Sequence, residues 1–225
     1  MKYLYLSFTL CLYSYSGFSQ DFNQQLKSFM GKIQHAESIS YVSDITIDYT
    51  TGPMVKQKII YSRSLDAIYY KTDKMEMLGD SKISLMIYPE EKVVVWQKTD
   101  PSTDALKSKE QILSDTLVST SDSIVYKGVS DGFHQYVVYT KKKYINKTEL
   151  SFGVQDGILH QAVYHYDQSQ NFGVRKSTVD FVTFQINGVQ GVSKRPDSVL
   201  EYKDKTYSLR PGFTGYKLIH LDHTY

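Results

Sequence analysis

Residues 79–96 read GDSKISLMIYPEEKVVVW, and this stretch predicts a β fold. A turn at Gly79-Asp80-Ser81 leads into the strand KISLMIY. The tight reversal YPEEK then returns the chain into a second strand, VVVWQ. Two strands joined this closely are expected to pair with each other in a sheet.

The same pattern continues on both sides of this stretch. In YVSDITIDYT, residues 41–50, apolar and polar side chains alternate, which predicts a strand with one buried and one wet face. Strands also account for most of the chain after residue 120. The hairpin signals there are Asp131-Gly132, Asp156-Gly157 and Asn187-Gly188. Strand–helix–strand alternation is missing from the sequence, which argues against a parallel doubly wound sheet.

Two segments have helical rather than strand character. Phe22, Leu26, Phe29 or Met30, and Ile33 recur at helical spacing, which predicts an amphipathic helix over residues 22–37. Asp21 and Gln24 resemble a capping box at its start. In residues 101–120 the spacing of Leu106, Ile112, Leu113 and Leu117 predicts one or two short helices.

These elements predict a mainly β (α+β) fold built on one large curved antiparallel sheet. A sheet of about ten strands curls, because strand twist accumulates across it. The concave side must then be filled by side chains, covered by the helices or left as a cavity. The 20 tyrosines suit such a sheet, since tyrosine packs its ring while its hydroxyl stays wet.

The N-terminus predicts export across a membrane. Lys2 is followed by the uncharged run YLYLSFTLCLYSY and by the small residues Gly17 and Ser19, which is typical of a secretory signal peptide over residues 1–19. Cys11, the single cysteine, lies inside that run, so thiolate chemistry and cysteine-bound zinc are not expected afterwards. Residues 20–225 are predicted to form one domain. The net charge of +2 does not point to nucleic acid.

Three short motifs suggest catalysis or binding, but the sequence around them argues against a catalytic or metal-binding role. Gly128-Val129-Ser130-Asp131-Gly132 matches G-x-S-x-G, but both flanks are predicted strands, whereas a nucleophile elbow joins a strand to a helix. His220 and His223 lie in a predicted strand and tail, so they make a poor metal pair. Lys141, Lys142 and Lys143 form a basic turn that is either solvated or contacts anionic lipid or a partner.

The stretch QDGILHQAVYHYD, residues 155–167, offers two histidines and two aspartates. Strand residues alternate between faces, so His160 and His165 point to opposite sides and cannot share a metal. His165 and Asp167 share a face about 7 Å apart, close enough only for a loose ion pair. We therefore interpret the stretch as the second arm of a hairpin that turns at Asp156-Gly157. We expect no metal and no cofactor in this protein.

The order of these features resembles the periplasmic outer-membrane lipoprotein carrier family, LolA-like with LolB-like and RseB-like relatives. GDSKISLMIYPEEKVVVW is similar to its turn, strand and returning strand, and TELSFGVQDGILHQAVYHYDQSQ to its late hairpin. VRKSTVDFVTFQING is similar to the strand that follows. YSRSLDAIYYKT departs from the family, because it has Arg63 but neither the proline nor the tryptophan usual there. The segment from about residue 189 onward has no counterpart and either extends the sheet or forms a flap.

The resemblance implies a half-open barrel with an apolar cavity under a mid-chain helical lid. It implies a non-enzymatic, monomeric periplasmic carrier that binds a lipoprotein acyl chain or a similar hydrophobic ligand. Arg63 is then a possible lid contact. The expected lining residues are Ile45, Ile47, Ile83, Leu85, Met86, Ile87, Trp96, Tyr164 and Phe181.

Three functional hypotheses stay open at this point. The first is the carrier described above. The second is an envelope binding or sensor module that uses the same fold to recognise a protein partner, since tyrosines also suit protein contacts. The third is a hydrolase that uses Ser130. The sequence does not distinguish a lined cavity from a filled core, because the same apolar residues serve both.

Overall fold

The computed structural model describes residues 22–99, 121–140, 144–170, 173–188 and 192–221. Within these ranges the chain forms one α-helix, α1, over residues 22–34. The strands are β1 (Ile39–Tyr49), β2 (Val55–Arg63), β3 (Ala67–Lys71), β4 (Glu76–Asp80), β5 (Ile83–Tyr88), β6 (Val93–Lys98), β7 (Ser121–Ser130), β8 (Phe133–Thr140), β9 (Ile145–Gly153), β10 (Leu159–Tyr166), β11 (Val174–Ile186), β12 (Leu200–Lys203), β13 (Thr206–Leu209) and β14 (Lys217–His220). Short 3-10 turns lie at Gln168–Gln170, Pro196–Ser198 and Pro211–Phe213.

Twelve strands form one sheet in the order β14-β6-β5-β4-β3-β2-β1-β11-β10-β9-β8-β7, and β12 pairs only with β13. The edge strands β14 and β7 are not neighbours, so among the described residues the sheet is not a closed barrel. The predicted large antiparallel sheet is confirmed, with one departure. β14 lies parallel to β6, which is possible because a long stretch of chain separates the two strands.

The chain divides into two compact units. In the described part of the chain, the first unit comprises residues 22–35, 45–56, 121–140, 144–170 and 173–181, and the second comprises residues 36–44, 57–99, 182–188 and 192–221. Strands β1, β2 and β11 contribute residues to both units. The single domain predicted for residues 20–225 stays a prediction.

Helix α1 packs its apolar stripe onto β8 and β9 in the first unit. The Phe22 ring lies 5.0 Å from the Tyr136 ring, and the Phe29 ring lies 5.8 Å from the Phe152 ring, centroid to centroid. The predicted amphipathic helix is therefore confirmed. Its buried side chains have the predicted spacing: Phe22, Leu26, Phe29 and Ile33.

The helix ends at residue 34, three residues before the predicted boundary. The Asn187 side-chain oxygen accepts hydrogen bonds from the backbone amides of Glu37, at 2.8 Å, and Ser38, at 3.4 Å. The Asn187 amide in turn donates to the Ser38 carbonyl at 2.8 Å. These bonds replace helical partners and direct the chain into β1.

Some predicted segments lie outside the described residues. They are the signal peptide (residues 1–19), the mid-chain helical lid (within residues 101–120) and the basic turn Lys141–Lys143. In the part of the chain that is described, no helix has the length and apolar character needed to cross a membrane.

Two of the predicted hairpin turns are present. Asp131 and Gly132 both adopt positive φ, 54° and 81°, and join β7 to β8 directly. This geometry suits a two-residue loop, because its twist matches that of the paired strands. Gly157, with φ of 64°, lies in the loop that joins β9 to β10. The G-x-S-x-G motif is therefore a β-hairpin turn rather than a nucleophile elbow.

We predict that Phe152→Ala destabilises the protein by about 3–5 kcal/mol, because a fully buried ring leaves a cavity between α1 and β9. Urea unfolding measures the loss. Val129→Ala is the matched control, since Val129 is 57% exposed on an edge strand, and its effect should stay within about 0.5 kcal/mol. Equal effects of the two substitutions would contradict this packing.

Candidate functional site

A row of paired side chains crosses β2 to β6 in the second unit. Ser62 is paired with Tyr69, Tyr69 with Leu78, Leu78 with Leu85, and Leu85 with Trp96. Directly opposed residues of antiparallel strands point to the same face of a sheet, so these five side chains share one face. We call it the apolar face and define it as Ile60, Ser62, Tyr69, Leu78, Ile83, Leu85, Ile87, Val94 and Trp96.

Four of the predicted lining residues lie together on the apolar face. Ile83, Leu85 and Ile87 alternate with less buried neighbours along β5, and Trp96 lies opposite Leu85 on β6. All four are nearly inaccessible to water. Met86, by contrast, lies on the opposite face of β5, because strand residues alternate. The role of the four residues as ligand contacts stays a prediction.

The C-terminal segment fills the apolar face. Residues 192–216, which we call the cover segment, place Val199 and Leu200 at 0% and 3% exposure among the side chains of the sheet. The apolar face is therefore a packed core in this structure rather than an open cavity. Further side chains of the cover segment pack against the same cluster: Val192, Tyr207, Leu209, Phe213 and Tyr216.

The C-terminal segment both forms a flap and extends the sheet, the two roles that the sequence left open. Strands β12 and β13 belong to the covering flap, whereas β14 extends the main sheet beside β6. Trp96 marks where the two parts meet. Its ring stacks on His220 of β14 at 3.9 Å and lies 4.6 Å from Tyr207 of β13.

Glu76 anchors one rim of the cover segment. Its carboxylate accepts hydrogen bonds from Lys194 at 2.7 Å and from Lys71 at 2.9 Å. Burial by itself would raise the pKa of Glu76, but the two ammonium groups outweigh it and lower the pKa. The Lys194 ammonium also lies 5.6 Å from the centre of the Phe213 ring. Lys194 therefore contacts another residue of the cover segment as well as Glu76 on β4.

Asp66 forms a second anchor, in the turn between β2 and β3. Arg195 donates two hydrogen bonds to its carboxylate, at 2.8 and 3.0 Å. The bond from Arg195, together with one from Ser64, holds the pKa of Asp66 at about 2. The fork geometry of this pair fixes the start of the cover segment more specifically than a single ammonium contact would.

Apart from the aromatic residues Tyr69 and Trp96, Ser62 is the one side chain with a polar group in our definition of the apolar face. It is 6% exposed, and its hydroxyl has no hydrogen-bond partner among the described residues. A buried hydroxyl without a partner costs free energy that a matched group would recover. The apolar face therefore contains one buried hydroxyl that is left unsatisfied by the described residues.

The other predicted lining residues lie in the first unit. Ile45, Ile47, Tyr164 and Phe181 are half-buried, and burial raises the pKa of the Tyr164 hydroxyl. Arg63 ends β2 on the side of the strand opposite Ser62. Its predicted contact with the helical lid concerns residues that the structure does not describe, so that contact stays a prediction.

The two histidines of residues 155–167 have separate partners. His160 bonds Asp156 at 3.0 Å, and His165 bonds Glu149 on β9 at 2.8 Å. Asp167 instead accepts the backbone amide of Ser169 at 2.9 Å, so the loose His165–Asp167 pair is not formed. Among the described residues no group of three or more potential ligands could hold a metal ion.

A polar groove of about 450 Å³ lies on the first unit. Lys147 and His165 both contact the same Glu149 oxygen, at 2.7 and 2.8 Å, so their nitrogens lie close together. The groove thus combines aromatic, amide and charged groups, as peptide-binding surfaces do. Its lining is Tyr139, Asn146, Lys147, His165, Tyr166, Gln168 and Arg175.

Sequence reasoning missed the anchors of the cover segment. Asp66 and Arg195 are 129 residues apart, and Glu76 and Lys194 are 118 residues apart. The only available signal was the adjacent pair Lys194-Arg195 before a proline, in a segment otherwise without a match. Nothing in the local pattern identifies the acidic partners, because only the fold brings them into contact.

No protein-family model and no curated protein matches this sequence. Solved structures do match. An uncharacterized conserved protein from Thermus thermophilus is 7% identical, with a TM-score of 0.46, over 90% of this chain and 99% of that chain. MucB in the Pseudomonas aeruginosa MucA/MucB complex is 13% identical, with a TM-score of 0.43, over 76% of this chain and 59% of that chain.

A LolA superfamily protein from Nitrosomonas europaea is 7% identical, with a TM-score of 0.33, over 73% of this chain and 94% of that chain. LolA-like proteins are therefore among the solved structures that this chain resembles, as the sequence resemblance predicted.

We predict that acid loosens the cover segment. The pKa of Asp66 is depressed from 3.8 to about 2, so its ion pair contributes fully above about pH 4 and is lost as the pH falls through about 2. Quenching of the single tryptophan, Trp96, by acrylamide should rise over that interval. Arg195→Gln should weaken the step and Arg175→Gln should not. An unchanged step in Arg195→Gln would contradict the anchor.

Proposed function

We propose that this protein is a non-enzymatic carrier in the bacterial envelope that binds a lipoprotein acyl chain or a similar hydrophobic ligand. One observation carries the proposal. A continuous apolar face, from Ile60 on β2 to Trp96 on β6, is closed by a single short segment of the chain. In the described part of the chain the β12–β13 ribbon of the cover segment is the one sheet that covers it, and that ribbon pairs only with itself.

The energetics of an acyl chain fit such a face. Each methylene removed from water contributes roughly 0.8 kcal/mol, so a lipid-modified protein needs an apolar shelter to cross an aqueous compartment. Leu78, Leu85 and Val94 are fully inaccessible to water, so side chains on this face can exclude solvent completely. Trp96 adds a large aromatic surface at its edge.

The proposal includes the parts that follow from the resemblance. They are a half-open barrel, a helical lid within residues 101–120 that contacts Arg63, and export to the periplasm as a monomer. Ile45, Ile47, Tyr164 and Phe181 are proposed as further ligand contacts in the first unit. Their half-buried side chains have apolar area left to cover, which supports this role.

We propose that the protein is not an enzyme, and the environment of Ser130 supports this. Its hydroxyl donates to the neighbouring Asp131 carboxylate at 3.0 Å in an exposed turn between two strands. A serine nucleophile instead needs a base that removes its proton and donors that face the oxyanion. Ser130→Ala should therefore leave any esterase activity of the preparation unchanged, as a chromogenic acyl-ester assay would show. A loss of activity in that variant would contradict the proposal.

The second candidate is an envelope module that recognises a protein partner. The polar groove on the first unit favours it, because its lining includes two tyrosines, Tyr139 and Tyr166, and the basic residues Lys147 and Arg175. Tyrosine and arginine are both enriched at protein interfaces.

Two measurements distinguish the candidates. The carrier predicts that native mass spectrometry of protein purified from its own host finds an acyl ligand, and that this ligand changes Trp96 emission. Tyr139→Ala in the groove should then leave acyl binding unchanged. Recovery of one stoichiometric protein partner without lipid, abolished by Tyr139→Ala, would instead establish the binding module and reject the carrier.

A further inference from the structure

The cover segment is separable from the main sheet. Its described backbone hydrogen bonds stay within residues 192–216: Arg210 donates to Val199, Ser198 to Arg195 and Tyr216 to Phe213. Strands β12 and β13 likewise pair only with each other. Lifting this segment therefore breaks no ladder of the twelve-stranded sheet. The chain stays attached through β11 before it and β14 after it.

What holds the cover segment in place is side-chain contact. Val199 and Leu200 insert aliphatic groups among Leu78, Leu85 and Val94. Lys194 and Arg195 hold the entry of the segment to Glu76 and Asp66. An aliphatic ligand offers the face the same kind of surface as Val199 and Leu200, so the two compete for one place.

Ser62 indicates that the ligand carries a hydrogen-bond acceptor as well as a hydrocarbon chain. Its hydroxyl lies on the apolar face, in the row with Tyr69 and Leu78, and it lacks a partner among the described residues while the cover segment is in place. The aliphatic side chains of Val199 and Leu200 do not provide a hydrogen-bond acceptor. The carbonyl of an acyl ester or amide does, and in an acyl group it lies directly next to the methylene chain.

We propose that the cover segment is a displaceable occupant of the apolar face. An acyl ester or amide takes the place of Val199 and Leu200, and its carbonyl oxygen accepts a hydrogen bond from the Ser62 hydroxyl. This inference rests on the carrier function proposed above and adds the position of the ligand, the group that leaves and the polar atom that the ligand meets.

One double variant tests whether the ligand displaces the cover segment. It provides a form in which the segment is loosened and a form in which it is locked. Asp66→Cys with Arg195→Cys, in a Cys11→Ser background, puts thiols at an ion pair whose atoms are 2.8 Å apart. Before cross-linking the anchor is absent, and after reaction with a short bismaleimide the cover segment is fixed. The probe is 1-monolauroylglycerol, an acyl ester, and Trp96 emission measures its binding. Hydrogen exchange of residues 192–209 reports on the cover segment itself.

The loosened form should bind the ester about tenfold more tightly than the wild type, because loss of the anchor lowers the cost of opening. The locked form should lose binding. In the wild type, the ester should raise hydrogen exchange in residues 192–209. The matched control is Asp156→Cys with His160→Cys, which cross-links a hydrogen-bonded pair of the first unit outside the polar groove and should bind like the wild type.

The outcomes separate the inference from the proposed function. If the locked form binds as well as the loosened form, or exchange does not rise, displacement is wrong while the carrier function stands. If no form binds the ester, both are wrong. Lys194→Ala weakens the other anchor and should also tighten binding, so the test does not depend on one pair folding well.

Ser62 has its own test with a matched pair of ligands. Ser62→Ala should weaken the ester about five- to tenfold, the usual size of one hydrogen bond. It should not change binding of 1-dodecylglycerol, an ether of the same chain length that lacks the carbonyl. Equal effects on ester and ether would show that Ser62 only packs and would remove the carbonyl contact from the proposal.

Discussion

The contact between the apolar face and the cover segment is the interaction on which the second unit depends. Strands β3 to β6 present one continuous row of large apolar side chains, and an antiparallel sheet is stable only when such a face is removed from water. Val199 and Leu200 complete this core from a segment that contributes no backbone hydrogen bond to the main sheet in the described part of the chain. A core that is closed by side chains alone combines tight exclusion of water with the possibility of opening.

In the first unit, a helix removes the apolar sheet face from water. Phe22 and Phe29 of α1 meet Tyr136 and Phe152 through tilted and edge-on ring contacts. A helix supplies its own backbone hydrogen bonds, so it can cover a sheet face without adding to the ladder. The two units thus use different elements, α1 and the cover segment, to bury the apolar surface of one long sheet. Tyrosine is common here because its ring packs while its hydroxyl reaches a polar partner.

Much of the fold was predictable from local pattern. Alternation along β5, the Asp-Gly turns and the helical spacing of α1 are all set by neighbours in sequence, and each is confirmed. Strand β1 forms, but its side chains from Ile45 to Tyr49 are all half-buried and do not divide into a buried and a wet face. The ligand-lining set was only partly predictable. Ile83, Leu85, Ile87 and Trp96 fall on one face because alternation and hairpin register place them there. Met86 does not, since it follows Leu85 directly and points the other way.

The sequence by itself determined the secondary structure and which apolar residues seek burial, because periods of 2 and 3.6 residues depend only on the local backbone. The tertiary structure alone decided what covers each face. Arg195 meets Asp66 across 129 residues, and Val199 fills a space between strands that lie more than 100 positions earlier. Contacts of that separation leave no period in the sequence, so whether the face was hollow or filled was settled by the path of the C-terminal chain.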